Sequence, residues 1–143
     1  MKFLFDASSM LELIKSFDEE KALHMLGENS ILDLTKYEVG NALWKELVLH
    51  HAIEEDEFRE FLDLLRKVVL RTRISAVDPE KLTDVGRVAA KERITFYDAS
   101  YIIVAKIQNL MLITEDGKLA KAASKHTKTA PIKNMPSSDS TRR

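Results

Sequence analysis

Cysteine is absent from the 143 residues, which excludes a disulfide framework, a thiolate zinc site and a thiol nucleophile. A reducing cytoplasm is therefore the expected compartment. Only four glycines and three prolines interrupt the chain, so regular elements should dominate it. Long hydrophobic runs are also missing. Phe3-Leu-Phe5 stops at Asp6, too short for the core of a signal peptide, and no later stretch approaches the roughly 20 apolar residues of a membrane span. A soluble protein with no membrane partner is expected. Charge imbalance is missing as well: 22 basic against 23 acidic residues leave a formal net charge of −1. No global field draws the chain to a polyanion, and any nucleic-acid contact must come from a local patch or a metal.

The sequence does have a well-charged surface and short buried runs. Charged residues make up 31% of it and hydrophobic ones 45%, against about 25% charged in an average soluble domain. The length suits one compact domain over residues 1–135. Residues 136–143 offer no apolar anchor and are expected to form a disordered tail. Brief apolar runs at residues 2–5, Ile31–Leu34, Arg73–Val77, Leu110–Ile113 and Thr129–Ile132 read as buried strands. Helical periodicity fills the gaps between them. Leu11, Ile14, Leu23 and Leu26 line one or two early helices; Val39, Leu43, Leu47 and Val48 mark the next, and a long one covers Glu54 to Leu70. Asp78-Pro79 supplies a cap and an N-terminal proline for a helix toward Lys91, with two more near Asp98 and Gly117. Strands alternating with helices imply an α/β protein, a three-layer α/β/α sandwich around a parallel sheet of four to five strands.

Four acids share one address in that arrangement. Asp6 follows the first strand, Glu38 follows the second, Asp98 opens a helix and Asp116 follows the Leu110–Ile113 strand. Parallel strands would bring all four to the carboxyl edge of the sheet, where such folds gather ligands. Crowded carboxylates repel one another unless a cation neutralises them. An all-oxygen donor set suits Mg²⁺ or Mn²⁺ rather than zinc, and such ions bind phosphate oxygens and activate water. Each acid also has a structural explanation, because Asp and Glu are favoured at helix N-termini. Thr35-Lys-Tyr-Glu38, for instance, fits a capping box with Thr35 as the cap and Glu38 reaching back.

The motifs Phe5-Asp6-Ala-Ser8-Ser9, Thr35-Lys-Tyr-Glu38-Val-Gly-Asn41, Tyr97-Asp98-Ala-Ser-Tyr101 and Thr114-Glu-Asp116-Gly-Lys118 resemble those of PIN-domain ribonucleases, over roughly residues 2–132. In size the chain looks most like the VapC toxins of VapBC toxin–antitoxin pairs. The resemblance implies a PIN-like fold and a divalent-metal-dependent endoribonuclease that hydrolyses RNA phosphodiesters with metal-activated water. It makes Asp6, Glu38, Asp98 and Asp116 the catalytic, Mg²⁺- or Mn²⁺-binding acids. Ser8, Asn41 and Thr114 become supporting polar groups around them, with Ser9 as an alternative to Ser8, and Lys118 a candidate RNA contact. Expected partners are the RNA substrate, a VapB-like antitoxin and a second copy in a homodimer. Glu115 competes with Asp116 for the fourth place; the Thr-x-Asp pattern favours Asp116.

The same residues admit other readings. A PIN-like RNA-processing nuclease outside a toxin–antitoxin pair, and a non-catalytic binding module whose acids are only caps, use the same residues. An aspartyl-phosphate hydrolase would need a second Asp two residues after Asp6, where Ser8 stands. Lys36, Lys45, Lys118 and Lys121 flank the acidic motifs and could steer phosphates, whereas Arg66, Lys67, Arg71 and Arg73 suit the end of the long helix. His50-His51 cannot chelate together on a helix, since adjacent side chains diverge by about 100°. Tyr97 and Tyr101 fit either base stacking or core packing. Leu64 and Leu70 widen the apolar stripe of the long helix, which with the early helices makes a candidate dimer or antitoxin surface.

Overall fold

A computed structural model describes residues 2–136, so the expected tail lies, apart from Pro136, outside the described residues. Five strands, β1 (Phe3–Phe5), β2 (Ser30–Leu32), β3 (Arg73–Ser75), β4 (Met111–Ile113) and β5 (Thr129–Ala130), form one sheet. The helices between them are α1 (Ala7–Ser16), α2 (Glu19–Leu26), α3 (Asp33–Trp44), α4 (Glu55–Arg71), α5 (Leu82–Glu92), α6 (Phe96–Gln108) and α7 (Gly117–Ala123). The strand order is β3-β2-β1-β4-β5, and every pairing is parallel. The α/β/α architecture expected from the alternation is the one observed.

Alternation within β1 builds the two sides of the sheet. Phe3 and Phe5 point into a core shared with Met10, Leu13, Leu26, Leu43, Leu65 and Val68, the buried faces of α1 to α4. Leu4 points the other way, into a cluster with Val85, Tyr101, Ile102, Leu112 and Leu119 from α5, α6, β4 and α7. Both faces are covered at the centre of the sheet, which is why β1 and β4 read as unbroken apolar runs. Full burial of each such side chain contributes about 1.5–3 kcal/mol relative to exposure.

Three expectations need adjustment. The Ile31–Leu34 run is strand only as far as Leu32, because Asp33 and Leu34 already belong to α3. The helix starts without a loop, and Leu34 packs against the α5–α7 side of the core. The wide apolar stripe of α4 is consumed inside the molecule: Phe58, Phe61, Leu62, Leu64 and Val69 pack on the α1–α4 core, and Leu70 alone of this stripe projects strongly, at 73% exposure. The helix after Asp78-Pro79 begins with a 3₁₀ turn, Pro79–Lys81, before α5 proper, with Asp78 accepting from the Glu80 N–H. A π-helical turn, Lys45–Leu49, extends α3 and ends at the exposed pair His50 and His51.

The sheet order places a switch point beside β1. From β1 the chain moves outward to β2 and then β3, and later returns to the other side of β1 as β4. Crossovers leave in opposite directions from these two neighbours, which opens a crevice at their carboxyl ends. Asp6 and Thr114 are the first residues beyond β1 and β4.

Candidate active site

Asp6 sits at the end of the central strand, 4% exposed, and its carboxylate is held from several sides. Oδ1 accepts the Ser9 N–H at 2.9 Å, which makes Asp6 the N-cap of α1. Thr114 Oγ1 donates to Oδ2 at 2.6 Å, and the Ser8 hydroxyl lies 2.8 and 2.9 Å from the two oxygens. Burial pushes the Asp6 carboxyl above its ordinary value, while the bonds from Thr114, Ser9 and Ser8 pull it back. Those donors serve a second purpose. Ser8 Oγ accepts the Glu115 N–H at 2.9 Å and Thr114 Oγ1 accepts the Asp116 N–H at 3.0 Å, so the two hydroxyls tie the loop after β4 to the carboxylate after β1. Ser9 staples the same junction from beneath, donating to the Ile113 carbonyl at 2.8 Å.

Glu38 approaches from α3 by a route that differs from the capping box. The residue preceding the first turn of α3 is Leu32, and its N–H donates to Thr35 Oγ1 at 3.1 Å. Thr35 thus performs the reaching-back role, and Glu38 is free of any capping duty. Instead, Glu38 Oε1 accepts the Tyr101 hydroxyl at 2.8 Å, and that phenol lies 2.7 Å from Thr35 Oγ1. Burial, followed by the charges of Asp98 and Asp6, raises the Glu38 pKa against the lowering effect of Tyr101. Burial also raises the Tyr101 phenol. Tyr101 is 1% exposed and Tyr97 58%, so core packing explains the first and leaves only the second available for stacking.

Asp98 lies in the first turn of α6, but the cap there is Thr95, whose Oγ1 accepts the Asp98 N–H at 3.0 Å. The Asp98 carboxylate is half-buried. Its pKa is raised by burial first and then by the charges of Asp116 and Asp6, against smaller lowering by Thr95 and Lys118. Asp116 is the N-cap of α7, with Oδ1 accepting from the Lys118 and Leu119 N–H groups at 2.9 and 3.1 Å. Glu115 turns away and accepts the Ile132 N–H at 2.7 Å. That bond engages Glu115 with the chain just beyond β5.

The four acids therefore share one field: Asp6 with Glu38 and Asp98, Glu38 with Asp98, and Asp98 with Asp116. Among the described residues no three acids, as placed, surround one point at ligand spacing. Carboxylates in a shared field repel one another, and a cation between them would offset that repulsion. The donor chemistry fits a hard divalent ion, because all the donors are carboxylate oxygens at the edge of a buried sheet. Asn41 lies apart from this network. It is exposed on α3 between Tyr37 and Trp44, on a solvent-facing stripe.

A family model, the PIN domain, matches residues 3–125. The chain belongs to the PIN domain family. Curated relatives of this PIN protein include two from Pyrobaculum aerophilum. One, named exonuclease VapC9, is 38% identical over 119 residues, covering 83% of this chain and 84% of its own. The other, named ribonuclease VapC3, is 33% identical over 125 residues, covering 85% and 94%. A crystal structure of PAE2754 from the same organism superposes with a TM-score of 0.73 at 35% identity, covering 90% of this chain and 89% of that one. The VapC-like PIN resemblance read from four short motifs is thus borne out along most of the chain.

Proposed function

We propose that this PIN protein is a divalent-metal-dependent endoribonuclease and the toxin of a toxin–antitoxin pair. The observation that carries the reading is the electrostatic coupling of Asp6, Glu38, Asp98 and Asp116, which arrive from four separate elements at the carboxyl edge of the sheet. These four would hold Mg²⁺ or Mn²⁺, which supplies charge to offset the phosphate and lowers the pKa of a water. Ser8 and Thr114 hold the Asp6 carboxylate between them, fixing its orientation before any ligand arrives. Tyr101 does the same for Glu38. Lys118, the cation whose field reaches Asp98, would meet an incoming phosphate. The names of the two curated relatives, both VapC proteins and one a ribonuclease, support RNA as the substrate and an antitoxin as the partner.

The partner reading has a physical counterpart. Tyr37, Trp44 and Val48, at 62%, 43% and 44% exposure, follow helical spacing along α3 and its π-turn beside Glu38. Such a stripe suits an antitoxin segment or a second copy of the chain better than water. We place the homodimer or antitoxin contact there rather than on α4, whose apolar side is filled. Residues 1–135 are read as the one nuclease domain and the cytoplasm as its place of action.

The deciding experiment is incubation of total RNA with the protein and Mn²⁺, with and without chelator, followed by sequencing of the new ends. Chelator-sensitive internal cleavage is expected, and its absence in the wild type would sink the reading. The exonuclease name of one relative favours a second reading, end-directed digestion. A circular RNA separates the two, because only an endonuclease can open it.

A further inference from the structure

Residues 117–136 contain Lys118, Lys121, Lys125, Lys128 and Lys133, together with His126, and no acidic residue. In a chain of net charge −1 this is a local concentration of one sign. Its three-dimensional arrangement is ordered. Lys118, Lys121 and Lys125 are spaced by three and four residues, which sets them on one side of α7 and its continuing turn. All three are exposed, while Leu119, Ala122 and Ala123 bury the opposite side. The helix begins at Asp116, within the field of Asp98, and ends where the chain turns into β5. The lysines thus run from the acidic set toward the other edge of the sheet.

At that far edge lies an open recess of about 380 Å³, lined by Lys106 and Asn109 from the end of α6 and by Ser124, Lys125, His126 and Lys128. Among the described residues no acidic side chain lines it. Lys125 and His126 are anchored from behind by Glu92, whose nearly buried carboxylate, 4% exposed, lies 2.8 Å from Lys125 Nζ and 3.2 Å from His126 Nε2. Lys106, Lys121 and Lys128 enter no ion pair among the described residues. Helix C-termini favour basic residues through the macrodipole, which accounts for Lys106 and Lys121. It does not account for Lys118 at the opposite end of α7, or for Lys128 in the segment beyond it.

We propose that this lysine face is a track for the backbone of single-stranded RNA, leading from the acidic set along α7 into the recess formed by Lys106, Lys125 and Lys128. The inference rests on the nuclease reading for its choice of polyanion and extends it by assigning a path to the substrate on one side of the cleavage point. Lysines spaced along an exposed helix neutralise successive phosphates without reading bases. A flexible single strand can follow them, as it follows basic grooves of other single-strand binders.

The test measures binding of a fluorescent single-stranded RNA of about 12 nucleotides, within the usual site size of such proteins, by anisotropy in chelator so that no cleavage intervenes. Wild type is compared with Lys106→Gln/Lys121→Gln/Lys128→Gln and with a control that loses three lysines elsewhere, Lys21→Gln/Lys81→Gln/Lys91→Gln. The track variant should bind at least tenfold more weakly at low salt. Its slope of log affinity against log salt should be shallower by about 2, from roughly 0.7 per phosphate contact on a single strand. The control should keep the wild-type slope. Equal slopes and affinities in the two triple variants would overturn the track, as would displacement of the RNA by polyaspartate at matched charge. Thermal melting confirms that each variant is folded, and Lys121→Gln alone, expected to reduce the slope by about 0.7, serves if the triple variant is not. A parallel cleavage assay in Mn²⁺ keeps the two ideas separate, since binding along the track with no cleavage by wild type would sink only the nuclease reading.

Discussion

The Tyr101 phenol donates to Glu38 Oε1 at 2.8 Å while lying 2.7 Å from the Thr35 hydroxyl, so one buried side chain on α6 joins the cap of α3 to an acid of the candidate site. Replacing it by phenylalanine keeps the ring and removes the link. Tyr101→Phe should cost about 1–2 kcal/mol of stability, from polar groups left unpaired. It should weaken Mn²⁺ binding about 10- to 100-fold, as losses behind a ligand usually do. Calorimetric titration with Mn²⁺ and a thermal melt on the same sample separate the two effects. Unchanged affinity in a destabilised variant would make Tyr101 a packing residue only.

Asp98 gives a prediction with opposite signs for stability and activity. Its pKa is raised by burial and by Asp116 and Asp6, so the folded state binds a proton more readily than the unfolded chain. Its charge therefore destabilises the metal-free fold above the raised pKa, and this penalty is relieved as pH falls through the window between the two values. Asp98→Asn should melt a few degrees higher than wild type at pH 7 in chelator and show a flatter pH profile toward acid, yet fail to cleave RNA. A variant that melts lower than wild type at pH 7 would contradict the repulsion.

Metal should invert that ranking. A ligand that binds only the folded state stabilises by about 2.7 kcal/mol at a hundredfold excess over its dissociation constant. Added Mn²⁺ should raise the melting temperature of wild type and do much less for Asp6→Asn or Asp98→Asn. Equal responses in all three would place the ion elsewhere.

Glu92 tests the far edge of the sheet. Lys125 and His126 hold its carboxyl below the usual glutamate value, so its contribution is present above the unfolded pKa and is lost as pH falls through the folded one. Glu92→Gln should melt below wild type at neutral pH, with the difference closing once the medium is more acidic than the ordinary glutamate range. Circular dichroism melts at a series of pH values check it.

Much of this arrangement was legible in the residues themselves. Short apolar runs marked all five strands, and the place of each acid, after a strand or at a helix start, could be read from the residues alone. The misread places share a cause. Thr35-x-x-Glu38 has the spacing of a capping box, but β2 enters α3 with no intervening loop, so the cap falls three residues earlier and Thr35 takes the reaching-back part. The link from Tyr101 to Glu38 spans 63 residues and leaves no local periodicity to read. Its one trace is a tyrosine at the head of the apolar run Ile102–Ala105, where a buried hydroxyl must find a partner. Glu115 and Asp116 are adjacent and chemically alike. Only the Ile132 N–H, 17 residues away, distinguishes them.

Phe5 pairs with Ile113 across the centre of the sheet, and the residues that follow them are Asp6 and Thr114. Spacing between that carboxylate and its hydroxyl is consequently a property of strand register rather than of a flexible loop. Register in turn is enforced by the two hydrophobic layers, since a slip of one residue would exchange the faces of Leu4 and Phe5. Chemistry and packing here share a single tolerance. Mutations that loosen the inner strands will be felt as lost precision between two oxygens before they are felt as an unfolded chain, and a screen for activity will read the health of the core.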